Sequence, residues 1–321
     1  MKRLLWLFFF FPATSFPQAV DSLSIPTEQA NHSSTTLLSL PATEGVPATS
    51  VPSQSINYAR LAVMGGVTAG VITGSYLYVK DFWWAKQKTA FQFDNSKERY
   101  ALHLDKASHF FGGVVESDFL SGGFQWSGLS EDRAYLYGAL LSALISTAVE
   151  FKDGYAVEHG FSLKDWGAGL LGASYPYLQN QIPSLRTLNF KVSYWNHVPK
   201  YFDMKSQLIE QHPKLAFMDN YGNQTYWAVV NLASITPEGW RIPSWLGIAV
   251  GGRAGDAVDV IRDDEQFKEF QLYLSLDVDV AQVLPESGGF WTVVRRVVKF
   301  IHFPSPAIRL TPHIAFFGFY M

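Results

Sequence analysis

Hydrophobic and polar positions follow two different periods along the chain. From about residue 57 to about 185 they recur at three- and four-residue steps, which puts side chains on one face of a helix. From about Leu188 they alternate, as in a strand with two unlike faces. The predicted fold class is α+β: an N-terminal group of about four packed helices, followed by a mostly antiparallel β-sheet of about five strands.

The first helix covers Leu61 to Val79, a stretch without charge between Arg60 and Lys80. It approaches the roughly 20 apolar residues that cross a bilayer. Ala62, Gly66, Gly70 and Gly74 recur every four residues and form a smooth stripe that admits another helix closely. Two readings follow, a buried or membrane-apposed helix and a true span. Asp81-Phe82-Trp83-Trp84 closes the helix with aromatics suited to a membrane–water interface or to a core anchor. A second helix is predicted over about 97–120, with Asp105, His109, Gly112 and Glu116 on one face. Gly122-Gly123 then opens a loop to Ser130, a predicted N-cap followed by Glu131 and Asp132 at the positive helix end. The third helix runs to Asp153 and stops at Gly154. Gly138, Ser142, Ser146 and Glu150 fall at four-residue steps along it, so Glu150 continues a small-residue stripe and is expected between helices. Ser162 with Asp165 three residues on makes a capping box with Asp in place of Glu. Gly167, Gly169 and Gly172 then mark a close-packing helix.

In the second half, Phe190, Val192 and Tyr194 alternate with Asn189, Lys191 and Ser193. Leu272, Leu274, Leu276, Val278 and Val280 alternate with Gln271, Tyr273, Ser275, Asp277 and Asp279. Thr225–Asn231, Trp245–Gly251 and Arg309–Tyr320 are further strands, and the sheet is expected to keep one wet face. About eight strands are needed to close an outer-membrane barrel, so five are not expected to form one. Asp219-Asn220-Tyr221-Gly222-Asn223 reads as a turn, and Phe303-Pro304-Ser305-Pro306 as a rigid lead into the last strand.

The chain start reads as a signal peptide over 1–19. Lys2 and Arg3 form its basic end, Leu4–Phe11 its apolar core and Ala13-Thr14-Ser15 its small residues. Residues 20–56 form a disordered Ser/Thr/Pro-rich linker. The helical region then covers 57–185 and the β-rich region 186–321. This organisation predicts export. Charged residues make up only 17% of the sequence and aromatics 16%, so contact with a membrane or another apolar envelope component competes with a merely crowded core. A net charge of -3 offers no basic face to nucleic acid. There is no cysteine, which removes disulfides, thiolate metal sites, cysteine nucleophiles and a lipid-modified cysteine.

The candidate chemistry lies in the helical half. Asp105, Lys106, His109, Glu150, Asp153 and Asp165 stand beside runs of Gly, Ala and Ser, where ionised groups are costly unless paired or metal-bound. They are the candidate catalytic cluster. His109 would serve as general base or metal ligand, Glu150 and Asp153 as acid/base groups or ligands, and Lys106 would stabilise an anion. His109 and Glu150 are the candidate metal ligands. The blander reading is a polar network that locks helix register, with Lys106 neutralising a carboxylate. Asp105 and His109 alone are also an ordinary i, i+4 pair worth a few tenths of a kcal/mol, and Asp165 an ordinary cap. Neither H-E-x-x-H nor G-x-S-x-G is present, and no motif requires a cofactor.

These residues carry a resemblance. Asp105-Lys106 with His109, Glu150 with Asp153-Gly154, and Gly160-Phe161-Ser162 with Asp165 and Gly172-Ala173 resemble the YfiM-like family of predicted periplasmic lipoproteins. Residues 57–321 look like its longer Bacteroidetes-type form, through Asn223-Gln224-Thr225-Tyr226-Trp227, Pro243-Ser244-Trp245-Leu246 and Pro304-Ser305-Pro306. The order of helix motifs is more loosely similar to VanZ-like membrane proteins. Two features depart from the family: no cysteine is present, and Gly169 stands where the family usually has Asn. The resemblance implies an envelope location, periplasmic or outer-membrane-associated in a Gram-negative bacterium, and assigns no reaction. The function expected is that of an exported cell-envelope protein, structural or membrane-associated. A metal-assisted or acid/base hydrolase of a lipid or other envelope substrate, and a lipid- or protein-binding module, are the alternatives.

Overall fold

The computed structural model describes residues 55–84, 89–94, 100–157, 160–195, 221–257 and 267–321. The predicted signal peptide, the predicted linker up to residue 54, and Asp219 and Asn220 of the predicted turn lie outside the described residues. Among those described, the chain is α+β, with helices mostly in the N-terminal half and an antiparallel sheet of six strands behind them. The helices are α1 (Tyr58–Trp83), α2 (Leu104–Trp126), α3 (Glu131–Asp153), α4 (Leu163–Gln181) and α5 (Gly289–Val298). The strands are β1 (Leu188–Tyr194), β2 (Gln224–Asn231), β3 (Leu246–Ala257), β4 (Phe267–Val278), β5 (Ser305–Arg309) and β6 (Ala315–Tyr320), paired in chain order.

Helices α2, α3 and α4 form one tight group because small residues stand where they cross. A Cβ on Gly138 of α3 would lie 2.8 Å from the Ser117 carbonyl oxygen of α2. Ser142 hydrogen-bonds Glu116 at 3.2 Å, and Gly169 of α4 faces Ser146. Gly113 of α2 meets the backbone of Gly169 and Ala173, and Gly172 sits against the Phe110 backbone. The four-residue stripe that ends at Glu150 is therefore a helix contact, as its spacing predicts. Gly167 meets nothing within 4 Å and is not part of it.

The remaining helix predictions need correction. Helix α2 is preceded by a 3-10 turn over Tyr100–His103, where Leu102 and His103 have positive φ, so the helix begins later than about 97. It also runs through Gly122-Gly123 to Trp126. These glycines do not break the helix; they make room for Arg296 and for Met64 of α1. Helix α1 spreads little of its surface on the bundle. Asn57 N–H reaches the Ser127 carbonyl at 2.9 Å, and Arg60 donates to the Trp126 carbonyl at 3.2 Å. Gly66, Gly70 and Gly74 have nothing within 4 Å, and Val63, Ile72, Tyr76 and Leu77 are exposed. Among the described residues no other helix approaches the Gly66-Gly70-Gly74 stripe, and the covered face of α1 is that of Met64 and Val79.

The sheet differs from prediction in strand number and in its facing. The run Arg309–Tyr320 divides into the end of β5 and all of β6, and β5 takes up Ser305-Pro306, which had been read as a lead-in. Proline is tolerated there, at the start of a strand. The short helix α5, capped by Gly288 and carrying Arg295-Arg296 in its last turn, is not predicted from the sequence. The larger difference is curvature. Thr225 of β2 hydrogen-bonds Tyr320 of β6 at 3.1 Å, and Lys191 of β1 pairs with Asp277 of β4 at 2.7 Å. Four strand steps in a flat sheet would separate β2 from β6 by about 19 Å. The sheet therefore rolls up. Phe300–His302, just before β5, hydrogen-bonds the free edge of β1: Val192 N–H donates to Phe300 at 2.8 Å and His302 N–H to Val192 at 3.0 Å.

Rolling puts the polar alternation inside. Lys191, Arg253, Gln271, Ser275 and Asp277 are buried, whereas Ile248, Val250, Leu274, Leu276 and Phe316 on the other face are exposed. The expected wet polar face is thus corrected: these polar groups are enclosed on the concave side beside the buried cluster of Trp227, Val229, Ala249, Tyr273, Ala307 and Tyr320, and the outward positions named are apolar. Helix packing yields the first prediction. Gly172→Val is expected to destabilise the protein by about 1–3 kcal/mol or more, because its side chain must displace the α2 backbone. Gly167→Ala is expected to be neutral or slightly stabilising. Thermal melting of the two variants beside the parent checks both.

Candidate functional site

Three helix ends converge on the predicted cluster. The first turn of α2 supplies Asp105 and Lys106, and His109 lies one turn on. The last turn of α3 supplies Glu150, and the first turn of α4 supplies Asp165. Leu104 anchors the start of α2 by packing into a cluster with Tyr221 and Ala254 of β3, so the sheet helps to hold the site. Ser162 caps α4 by accepting the Asp165 N–H at 3.2 Å. The backbone N–H of Ser162 in turn donates to Glu150 Oε2 at 3.2 Å.

Lys106 Nζ is the centre of charge. It lies 2.6 Å from Asp105 Oδ2 and 3.1 Å from Asp165 Oδ1, and so joins α2 to α4. Burial works against its positive charge, but the two carboxylates outweigh burial and raise its pKa. Burial pushes Asp105 up, against the pull of Lys106. His109 Nδ1 stands 3.5 Å from Glu150 Oε1, and the His109 side chain is 32% exposed against 3% for Glu150. Burial first, and then the nearby charges of Asp153 and Asp165, push Glu150 up to about 8. One nitrogen of His109 and one oxygen each of Glu150 and Asp165 all lie within 4.8 Å of one another. Five of the six predicted residues thus meet. Asp153 stands at the margin: its carboxylate accepts from Trp84 Nε1 at 2.6 Å and acts on Glu150 through charge. Two turns beyond His109, burial pushes Glu116 up to about 7, partly offset by the hydrogen bond from Ser142.

Two further polar centres lie outside the predicted set. Asp118 of α2 pairs with Lys299 at 2.7 Å and accepts at its backbone carbonyl from Arg296 at 2.7 Å, tying the bundle to α5. Inside the sheet, Lys191 bridges Asp277 at 2.7 Å and Asp279 at 3.7 Å. Beside them His302 stacks on Trp227 with ring centroids 4.0 Å apart, and its Nε2 lies 3.2 Å from the Leu276 carbonyl oxygen. A cavity of about 80 Å³ separates the two centres, lined among others by Asp118, Lys191, Asp279 and Lys299. The alternation of Lys191 and Asp277 was visible in the sequence, but it pointed to a wet face rather than to a buried pair.

Residues 93–181 match the model of the DUF2279 family, described as a predicted periplasmic lipoprotein family. The match contains all six cluster residues and helices α2 to α4. It carries neither the YfiM-like nor the VanZ-like name and does not reach the sheet. No curated protein and no solved structure matches the chain.

Two predictions follow from these charges. Lys106→Met leaves two carboxylates unanswered at the helix junction and is expected to cost about 3–5 kcal/mol, as when one member of a buried ion pair is removed; urea denaturation measures it. His302 gives a pH dependence. Burial, and then the charge of Lys191, lower its pKa from 6.5 to about 4, so the fold holds it neutral. A group with a depressed cationic pKa supports the fold fully above its unfolded value and loses that contribution as pH falls toward the folded value. The parent is therefore expected to lose about 3 kcal/mol more than His302→Phe between pH 6.5 and pH 4. Parallel urea midpoints for parent and variant across that range would contradict it.

Proposed function

We propose that this is an exported envelope protein that seats on a membrane through α1, with the Asp105–Lys106–His109–Glu150–Asp165 cluster locking the ends of α2, α3 and α4 behind it. The observation that carries the reading is the state of α1. Its 23-residue stretch Tyr58–Lys80 is long and apolar enough to cross a membrane. One face is covered, with Met64 and Val79 buried and Leu61, Val67, Val71 and Tyr78 half-buried, while Val63, Ile72 and Leu77 on the other remain exposed. Apolar surface left in water costs roughly 25 cal/mol for each Å², so that exposed apolar face calls for an apolar neighbour. Helix α3 is also long and apolar enough. It is a core helix in this reading, because Gly138, Ser142 and Ser146 pack it against α2 and α4.

The sheet supports the same surroundings. Its outward positions Ile248, Val250, Leu274, Leu276 and Phe316 are exposed and apolar, as on lipid-facing strands. The family description of residues 93–181 supports an envelope location. The tight crossings and paired charges of the cluster favour a lock over a mobile reaction centre, since a buried network is tolerated when its members answer one another.

Vesicle flotation tests the membrane seat. The parent is expected to float with phospholipid vesicles and to resist alkaline carbonate extraction. A triple variant Val63→Glu, Ile72→Glu, Leu77→Glu is expected to stay in the soluble fraction. A parent that remains soluble without detergent and does not float would overturn the proposal.

A further inference from the structure

We infer that His109, Glu150 and Asp165 form a binding site for one divalent transition-metal ion of borderline softness, of the Mn²⁺ or Zn²⁺ class. The donor set is one imidazole nitrogen and two carboxylates, which suits such ions and does not suit soft thiophilic ones. The three donor atoms lie within 4.8 Å of one another, and His109 Nδ1 is 3.5 Å from Glu150 Oε1. Bonds of about 2.0–2.2 Å to a common ion place ligand atoms roughly 3–4 Å apart. The observed separations, 3.5 Å for His109–Glu150 and at most 4.8 Å within the set, are close to that spacing.

Two independent features point to a ligand there. Asp165 is 9% exposed, yet its buried Oδ1 accepts no hydrogen bond; only the Lys106 charge at 3.1 Å answers it. Asp105, 6% exposed, likewise keeps a buried Oδ1 without a hydrogen-bond partner in the same cluster. Buried carboxylate oxygens are normally paired, so such atoms call for a missing partner. The charges agree with this. Asp105, Glu150 and Asp165 stand together at three helix ends, and Lys106 is the cation that the ion pairs bring to Asp105 and Asp165. The partly exposed His109 ring provides the way in.

The site uses the cluster that the preceding reading treats as a lock, whereas the membrane seat rests on α1. The two therefore fail separately: His109→Ala is expected to float with vesicles like the parent whether or not an ion is bound. The test takes the full chain in detergent, stripped with chelator, and titrates Mn²⁺ and Zn²⁺ by calorimetry with elemental analysis of the dialysed product. One ion per chain is expected in the parent, with affinity at least about tenfold weaker in His109→Ala and in Asp165→Asn. Asp165→Asn keeps the shape of the side chain, and circular dichroism checks that each variant is folded. His313→Ala alters an exposed histidine outside the cluster and is expected to bind like the parent. No stoichiometric ion in the parent with either metal, or parent-like binding in folded His109→Ala and Asp165→Asn, would overturn the inference.

Discussion

The placement of one ammonium between two carboxylates is the constraint on which the helical half depends. Lys106 reaches Asp105 on its own helix and Asp165 at the start of α4. Without that cation, the close crossing of α2 and α4 at Gly113, Gly169 and Gly172 would bring two acidic helix starts together in a place poor in water. Charge and shape are thus coupled. The glycines permit the approach, the approach concentrates carboxylates, and Lys106 makes the concentration tolerable. Glu150 completes the junction as a buried carboxyl held by the Ser162 backbone N–H and facing His109.

The sheet solves a related problem by a different route. Charged residues stand inside it with polar partners, Lys191 with Asp277 across the roll and Arg253 with Gln271 and the Gly222 carbonyl. Its outward positions are apolar, as is most of the surface of α1. Both halves carry exposed apolar positions, Val63, Ile72 and Leu77 on α1 and Ile248, Val250, Leu274 and Leu276 on the sheet. Those positions are the basis of the proposed membrane seat. The tie between Asp118 and the Arg296–Lys299 segment holds the two halves together at their junction.

Much of the site was legible because helical spacing is strict. The steps Gly138, Ser142, Ser146, Glu150 can face only one neighbour, so burial of Glu150 followed from counting. Ser162 and Asp165 declared a helix start by their chemistry; the structure forms the Ser162 half of that capping box, while the Ser162 N–H goes to Glu150 instead of Asp165. The sheet was legible as alternation but not in its facing. A period of two defines two faces and leaves open which one is enclosed; the curl that decides it arises from contacts far apart in sequence, such as Thr225 with Tyr320. Gly122-Gly123 misled because glycine has two uses, as a breaker and as a space for a neighbour. Here the neighbours, Met64 and Arg296, come from remote segments. Helix α5 was hidden by its shortness and by the arginines in its last turn.

The measurement that tests the central claim most directly is a double-mutant cycle between Lys106→Met and Asp165→Asn, read by urea denaturation. If Lys106 joins α2 to α4 through Asp165, the two losses are expected not to add, with a coupling energy of about 1–3 kcal/mol. Losses that add within about 0.5 kcal/mol would mean that the two groups act independently, and the charge lock at the helix junction would have to be abandoned.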